Sequence, residues 1–360
     1  MAAIIDWQGK RKIKIRAAQI DPQKMDFEKI SKTRVSVLLI GGLLSRFKNF
    51  KISHPGGDRI GLRPISTHLE ALKKLGVEIS EEGDFYYFRT KNLRSSEIIL
   101  KEFSVTATEN LMMATSSLKG KTVIKGAAAE PQVQDLGKML KSMGVKIEGI
   151  GTHTILIEGK EKLTGTSHQI IPDPLEAGTF IVAGAVTPGE VIIKNIVPEH
   201  LDLFLDKLEE IGVNLVKGND FVKVNFSPRL KAARVQAFPY PGFPTDLLPA
   251  IVPLLTQAEG KSLIHDPLYE NRFNYVQELR KMGADIEIVD PHRAFIFGKT
   301  PLRGLSIESW DIRAGASLII AGLLAKGKTT INNIYQIDRG YEKIEERLQK
   351  LGANIKRIKT

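Results

Sequence analysis

The chain has 360 residues, 42% hydrophobic and 26% charged, which is enough apolar length to bury two sizeable cores. It contains no cysteine, which excludes disulfides, thiolate metal sites and a cysteine nucleophile, and suits a reducing, cytoplasmic compartment. The formal charge of +11 suits an anionic partner, but Lys and Arg are scattered with no arginine-rich or aromatic-studded basic run; this argues against nucleic acid and leaves an anionic small substrate or a solvated basic surface.

From the N-terminus, Met1 to Trp7 lacks the basic stretch that opens a secretory signal and carries an acid, Asp6, within its apolar run. Trp7 to Ile13 reads as a turn and a strand. The apolar runs Val35 to Leu44 and Gly315 to Ala325 fall well short of the ~18 residues of a membrane span, so no membrane role is expected. The loop His54-Pro55-Gly56-Gly57-Asp58-Arg59-Ile60-Gly61-Leu62-Arg63-Pro64 is the richest in chemistry: glycines permit close backbone approach to a ligand, and an acid stands beside two arginines. Read blandly, Asp58 and Arg59 are solvated loop charges.

A repeat organises the rest. Helices ending in a glycine turn before a strand hairpin are expected at Gly76, Gly144, Gly212, Gly283 and Gly352, spaced 68, 68, 71 and 69 residues apart. A second glycine turn, after an apolar helix and before a strand, falls at Gly120, Gly189, Gly260 and Gly327 with the same period. Within one unit, Leu201, Leu203, Phe204, Leu208 and Ile211 form a one-sided stripe, Gly212 suits the left-handed position beyond the helix, and Asn214 to Phe226 alternates around a break at Lys217 to Asp220. Each unit thus reads as helix, strand, amphipathic helix and two strands, and units this long should cluster into compact domains. Counting back from Gly76 lands at Gln8-Gly9, so the chain is expected to hold about five complete units and a remnant of a first one.

Several patterns are set aside on context. Gly322 to Thr329 fits the Walker A spacing, but it leaves a helix for a strand, the reverse of a P-loop, and its Gly-Lys-Ser/Thr recurs at Gly120 and Gly260 as the repeat's own turn. The seven histidines show no ligand spacing, so no metal is expected, and Gly149-Ile150-Gly151 is too short for a dinucleotide fingerprint. Two later loops carry chemistry: Pro241-Gly242-Phe243-Pro244-Thr245-Asp246, where Asp246 is placed to cap the next helix, and Ile337-Asp338-Arg339-Gly340-Tyr341, otherwise a surface turn.

Together with Tyr269-Glu270-Asn271-Arg272-Phe273 and Asp311-Ile312-Arg313-Ala314, these loops resemble, from about Arg11 to Thr360, the UDP-N-acetylglucosamine enolpyruvyl transferase family. The resemblance implies an α/β fold of two inside-out α/β barrels built from βαβαββ units, here residues 1–172 and 173–360, that close on substrate. It implies transfer of enolpyruvyl from phosphoenolpyruvate to the 3-hydroxyl of UDP-N-acetylglucosamine, with release of phosphate, through a tetrahedral ketal. This is the first committed step of peptidoglycan synthesis, and it needs no cofactor.

The family's general acid, commonly cysteine, is matched by Asp58, which must then hold its proton well above the usual carboxylate range. The thiol that fosfomycin alkylates is thereby absent, and resistance is expected. Asp246 matches the family's base. Arg34, Arg63 and Arg339 match residues that hold phosphoenolpyruvate. Arg34, Arg63, Pro64, Ile65, Ser66, Thr67, Ser104, Val105, Thr106, Asp246 and Leu268 match the nucleotide-sugar contacts. Departures are Ser66 in place of an acid, Thr106 in place of a glycine, Leu248-Pro249-Ala250 in place of a glutamine-containing segment, and Pro174 in place of an arginine. The family's Lys-Asn pair belongs to the part of the first unit expected upstream of Met1, so an alternative is an inactive relative that binds UDP-sugar or a partner. The sister reaction on shikimate 3-phosphate is disfavoured by the Pro-Gly-Gly-Asp58-Arg59-Ile60-Gly61 loop.

Overall fold

The computed structural model describes residues 3–57, 64–270 and 272–358. These fall into a first compact unit that ends at Gln169 and a second that begins at Ile170.

Glycine turns and alternating strands produce the same local order in both units. In the first, strands Asn49–Ser53, Phe85–Thr90 and Val77–Glu82 form an antiparallel sheet in that order. Glu97–Ile99, Lys121–Lys125, Thr154–Glu158 and Lys146–Glu148 form a four-stranded sheet whose first pair is parallel. The second unit repeats both patterns. Its sheets are Glu190–Lys194, Phe221–Asn225 and Asn214–Lys217, then Arg234–Gln236, Gly260–His265, Arg293–Gly298 and Asp285–Asp290. A parallel pair, Ser306–Glu308 with Thr330–Asn332, precedes the C-terminal segment.

The amphipathic helix Asp202–Ile211 shows why one unit folds. It buries Phe204, Leu205, Leu208 and Ile211 on one face and stops at Gly212, whose φ of +97° is costly for any residue with a Cβ. The hairpin that follows, Asn214–Lys217 with Phe221–Asn225, breaks at the residues expected. In contrast, Pro174–Val186 and Ile312–Leu324 are mostly apolar, with their few polar side chains near the N-terminal end, and are buried over most of their length. A helix with no polar face belongs in an interior. Strands such as Lys121–Lys125 bury alternate residues only, so helices fill each unit and the sheets face outward.

The hairpin Ile4–Trp7 with Ile13–Arg16 stands apart. Its register puts Ile5, Trp7, Ile13 and Ile15 on one face, and all four are exposed, whereas the other hairpins bury alternate residues. Among the described residues no helix is long and apolar enough to cross a membrane.

One buried side chain joins distant repeats of the first unit. Asn110, on helix Val105–Thr115, accepts from the Gly41 amide at 2.7 Å and donates to the Val37 carbonyl at 3.1 Å. A Cβ on Gly41 would sit 2.5 Å from the Asn110 carbonyl oxygen, so the backbones meet directly. Asn110→Ala strands both backbone groups in a dry core, and urea denaturation should show a loss of about 2–4 kcal/mol, with Asn110→Asp recovering part of it.

Candidate active site

In the first unit the site-bearing loop is fixed by contact between backbones. A Cβ on Gly56 would lie 1.7 Å from the Ser31 carbonyl oxygen, and one on Gly57, at φ +113°, would lie 3.0 Å from Arg34 Cβ. The glycine pair therefore lets His54 to Gly57 lie against the segment that leads into the 3-10 helix Arg34–Leu38. Arg34 Nη2 in turn donates to the Pro64 carbonyl at 3.3 Å. Asp58 and Arg63 lie outside the described residues.

Ile65 is buried, and Ser66 and Thr67 open helix Ser66–Lys74. One residue on, buried His68 places Nε2 2.8 Å from the hydroxyl of Thr106. Thr106 lies in the first turn of helix Val105–Thr115, which Ser104 caps by accepting from the Ala107 amide at 3.3 Å. Two helix N-termini are thus joined side by side, with Arg34 close enough for its charge to act on His68. Burial first, and then Arg34, push the His68 ring down to about 4, so it is neutral at physiological pH. Thr106 also gives the departure from glycine a physical role: its hydroxyl is the partner of a buried ring nitrogen. Arg34, Pro64 to Thr67, Ser104, Val105 and Thr106 are therefore gathered on one side of one unit.

The same helix carries a group that sequence reasoning passed over. Glu109 is 7% exposed, and burial followed by the negative charge of Glu130 raises its pKa to about 7. Glu130 stands at the entry to helix Pro131–Ser142, and the preceding segment is tied to the first helix where the Ala128 amide donates to the Thr108 hydroxyl at 3.0 Å.

In the second unit, Asp246 does not cap a helix. It lies within the 3-10 helix Thr245–Leu247, and Leu247, the cap residue of helix Leu248–Leu255, makes no side-chain capping bond. The carboxylate instead turns to two buried guanidinium groups. Its Oδ1 accepts from Arg272 Nη1 at 3.0 Å and lies 3.8 Å from Arg313 Nε. The same Nη1 also donates to the Thr245 hydroxyl at 3.1 Å, and the guanidinium group lies 3.7 Å from the centroid of the Tyr269 ring. Burial and the like charge of Arg313 push the Arg272 pKa down, against the pull of Asp246.

Two further carboxylates set this frame. Asp311 caps helix Ile312–Leu324 through the Arg313 and Ala314 amides at 2.8 and 2.9 Å, and its Oδ2 accepts from Asn274 Nδ2 at 2.8 Å. Asp266 accepts from the Thr245 hydroxyl at 2.6 Å and from the Leu268 amide at 3.1 Å, which attaches Leu268 to the same network. Asp266 and Asp311 are buried at 2% and 0%, whereas the Asp246 side chain is 40% exposed. Of the three, Asp246 is the carboxylate that can meet a substrate. Arg272 Nε and Arg313 Nε are buried and make no hydrogen bond among the described residues, so the cluster keeps unspent donor capacity.

The loop Ile337 to Tyr341 is anchored at both ends, so it is more than a surface turn. Ile337 and Tyr341 are buried in a small core with Phe180, Ala316 and Ile344, because the loop follows the short helix Tyr335–Asp338 and folds back on helix Ile312–Leu324. The Tyr341 hydroxyl is 2.8 Å from that of Thr179, and Tyr341 lies within the field of Asp246. Arg339 is exposed between these anchors, with Nη1 3.4 Å from Gln336 Oε1. Arg272 and Arg313 were visible in the sequence as parts of motifs, but only the fold shows that they converge on Asp246. For Glu109 and Glu130, the signal available was an acid inside an apolar helix and another before a helix-opening proline.

Interior helices under repeated sheets are the fold of the enolpyruvyl transferases. The sequence pattern of EPSP synthase (3-phosphoshikimate 1-carboxyvinyltransferase) matches residues 1–348, and the chain belongs to this enolpyruvyl transferase family. The UDP-N-acetylglucosamine 1-carboxyvinyltransferase of Koribacter versatilis is 46% identical over 332 residues, covering 92% of this chain and 76% of that protein. The enolpyruvyl transferase NikO from Streptomyces tendae superposes with a TM-score of 0.87 at 25% identity, covering 98% of this chain and 84% of the other. EPSP synthase from Acinetobacter baumannii shares the fold, with a TM-score of 0.68 at 19% identity over 97% of this chain and 84% of the other. The chain is an enolpyruvyl (carboxyvinyl) transferase: its reaction moves the enolpyruvyl group of phosphoenolpyruvate to a hydroxyl-bearing acceptor.

The pKa of Glu109 predicts a pH-dependent cost. In an unfolded chain the carboxyl titrates near 4.5, whereas the folded state keeps its proton up to about 7. Between these values the folded state binds more protons, so stability falls as pH rises through the window and levels off above it. Urea denaturation at about pH 8 should find Glu109→Gln more stable than the native chain by about 2–3 kcal/mol, with the difference closing near pH 5.

Proposed function

We propose that the acceptor is the 3-hydroxyl of UDP-N-acetylglucosamine, and that the reaction serves peptidoglycan synthesis in the cytoplasm. The observation that carries this reading is the exposure of Asp246 between Arg272 and Arg313, joined to a relative 46% identical that is named for this acceptor. In the reaction, the methylene carbon of phosphoenolpyruvate takes a proton while the sugar oxygen bonds to the neighbouring carbon and gives up its own proton. Loss of phosphate and of a methyl proton from the resulting ketal then restores the double bond.

Asp246 is the group we assign to the hydroxyl proton. Arg272 and Arg313 hold its carboxylate in place, and a base positioned this way contributes ~10²–10⁴-fold. Arg34 and Arg339, with Arg63, suit the phosphate and carboxylate of phosphoenolpyruvate because guanidinium groups meet both ions bidentately. Pro64, Ile65, Ser66, Thr67, Ser104, Val105, Thr106 and Leu268 are assigned to the nucleotide sugar; the paired helix N-termini at Ser66 and Val105 favour a negatively charged ligand on the first unit. Asp58 is assigned the proton delivered to carbon. The two-barrel organisation, with about five complete units and a remnant of the first, belongs to the same reading.

Phosphate release by the purified chain, supplied with phosphoenolpyruvate and either UDP-N-acetylglucosamine or shikimate 3-phosphate, tests this directly. The expected result is release with the nucleotide sugar alone, reduced ~10²-fold or more by Asp246→Ala and by Asp58→Asn. Release driven by shikimate 3-phosphate, or rates indifferent to Asp246→Ala, would overturn the assignment.

A further inference from the structure

The C-terminal segment holds the arginine-bearing loop through one guanidinium group. Arg357 Nη1 and Nη2 donate to the two carboxylate oxygens of Asp338 at 2.9 and 2.6 Å, and its Nε and Nη2 donate to Glu345 at 2.6 and 3.1 Å. Asp338 immediately precedes Arg339. Glu345 lies on helix Ile344–Lys350, which is itself tied to the interior helix Pro174–Val186 where Arg347 pairs with Glu176 and its guanidinium sits 4.5 Å from the centre of the Phe180 ring. On its other side the loop is held by Tyr341 against Thr179, and it fits tightly: a Cβ on Gly340 would sit 2.0 Å from Ile312 Cδ1.

We propose that Arg357 is a positioning residue for anion binding by Arg339. Exposed ion pairs generally add little to global stability, but a planar fork that engages both oxygens of one carboxylate and also a second carboxylate fixes geometry. Here that geometry is the direction in which the backbone enters Arg339. Without Arg357 the loop keeps its apolar anchors, Ile337 and Tyr341, and so stays folded, but Asp338 is released beside the arginine it now helps to aim. The effect falls on ligand affinity and much less on the fold. Lysine, a point charge without a fork, can replace only part of the function.

The inference rests on the reading of Arg339 as a phosphoenolpyruvate ligand, and two measurements separate the layers. The first is amide hydrogen exchange across residues 335–341 in the full chain, which needs no ligand. The second is the affinity for phosphoenolpyruvate by calorimetry, with KM and kcat where turnover is measured, for Arg357→Ala, Arg357→Lys, Asp338→Asn and Arg339→Ala. Exchange is expected to quicken in Arg357→Ala and Asp338→Asn. Phosphoenolpyruvate affinity and KM should worsen about tenfold in both, with kcat and melting temperature nearly unchanged and Arg357→Lys intermediate. Unchanged exchange overturns the clamp whatever the ligand data show. Faster exchange with unaltered affinity overturns the positioning, as does a loss of affinity matched by a fall in melting temperature. If Arg339→Ala binds phosphoenolpyruvate normally, the reading of Arg339 fails, and the exchange data then judge the clamp separately.

Discussion

The contact on which the second unit depends is that of the Asp246 carboxylate with Arg272 and Arg313. Two guanidinium groups buried side by side repel one another and have lost their hydration, so they survive only with carboxylates around them. Asp311 and Asp246 meet the charge directly, and Asp266 holds the Thr245 hydroxyl that supports Arg272. Asp311 is also the cap of Ile312–Leu324, and Asn274, which opens helix Asn274–Lys281, bonds to Asp311. One ionic cluster thus sets the start of an interior helix, the entry of another and the conformation of the loop before helix Leu248–Leu255. Replacing such a cluster by apolar residues often leaves stability unchanged or improves it, so its presence points to what the charges do.

What was legible in the sequence was whatever a local constraint forces. All nine glycines that marked the repeat adopt positive φ, which other residues adopt only at a cost, and this is why the period could be read without an alignment. The alternation of Asn214 to Phe226 and the stripe of Asp202–Ile211 followed from burial on one side. Long-range contacts left no such mark. The bond of Asn110 to Gly41 spans 69 residues, close to one period, and that of Thr179 to Tyr341 spans 162. The partners of Asp246 and the anchors of the loop at Ile337 to Tyr341 could not be read from the sequence, because they lie far away in the chain.

Thr106 shows how a departure from a family pattern becomes intelligible in three dimensions. A glycine there would leave His68 Nε2 without its hydroxyl partner; Thr106 holds the imidazole between the two helix starts, where burial and Arg34 keep it neutral. The substitution therefore supports the scaffold on which Ser66, Thr67, Ser104 and Val105 are displayed. His68 and Thr106 are best regarded as one unit of structure, and a change at either position is felt at both helices.

The two units, each taken by itself, differ in how their candidate residues carry charge. In the second unit the geometry of the charged groups is enforced by ion pairing and hydrogen bonding. In the first, the buried groups near the helix starts are neutral over much of the physiological range: His68 because burial and Arg34 disfavour its cation, and Glu109 because burial and Glu130 disfavour its anion. Thr106 and Glu109 are three residues apart on helix Val105–Thr115. His68, kept neutral, adds no second cation beside Arg34. A neutral His68 beside Arg34 leaves the positive charge of the guanidinium group without a like-charged neighbour on that side, which suits an incoming anion.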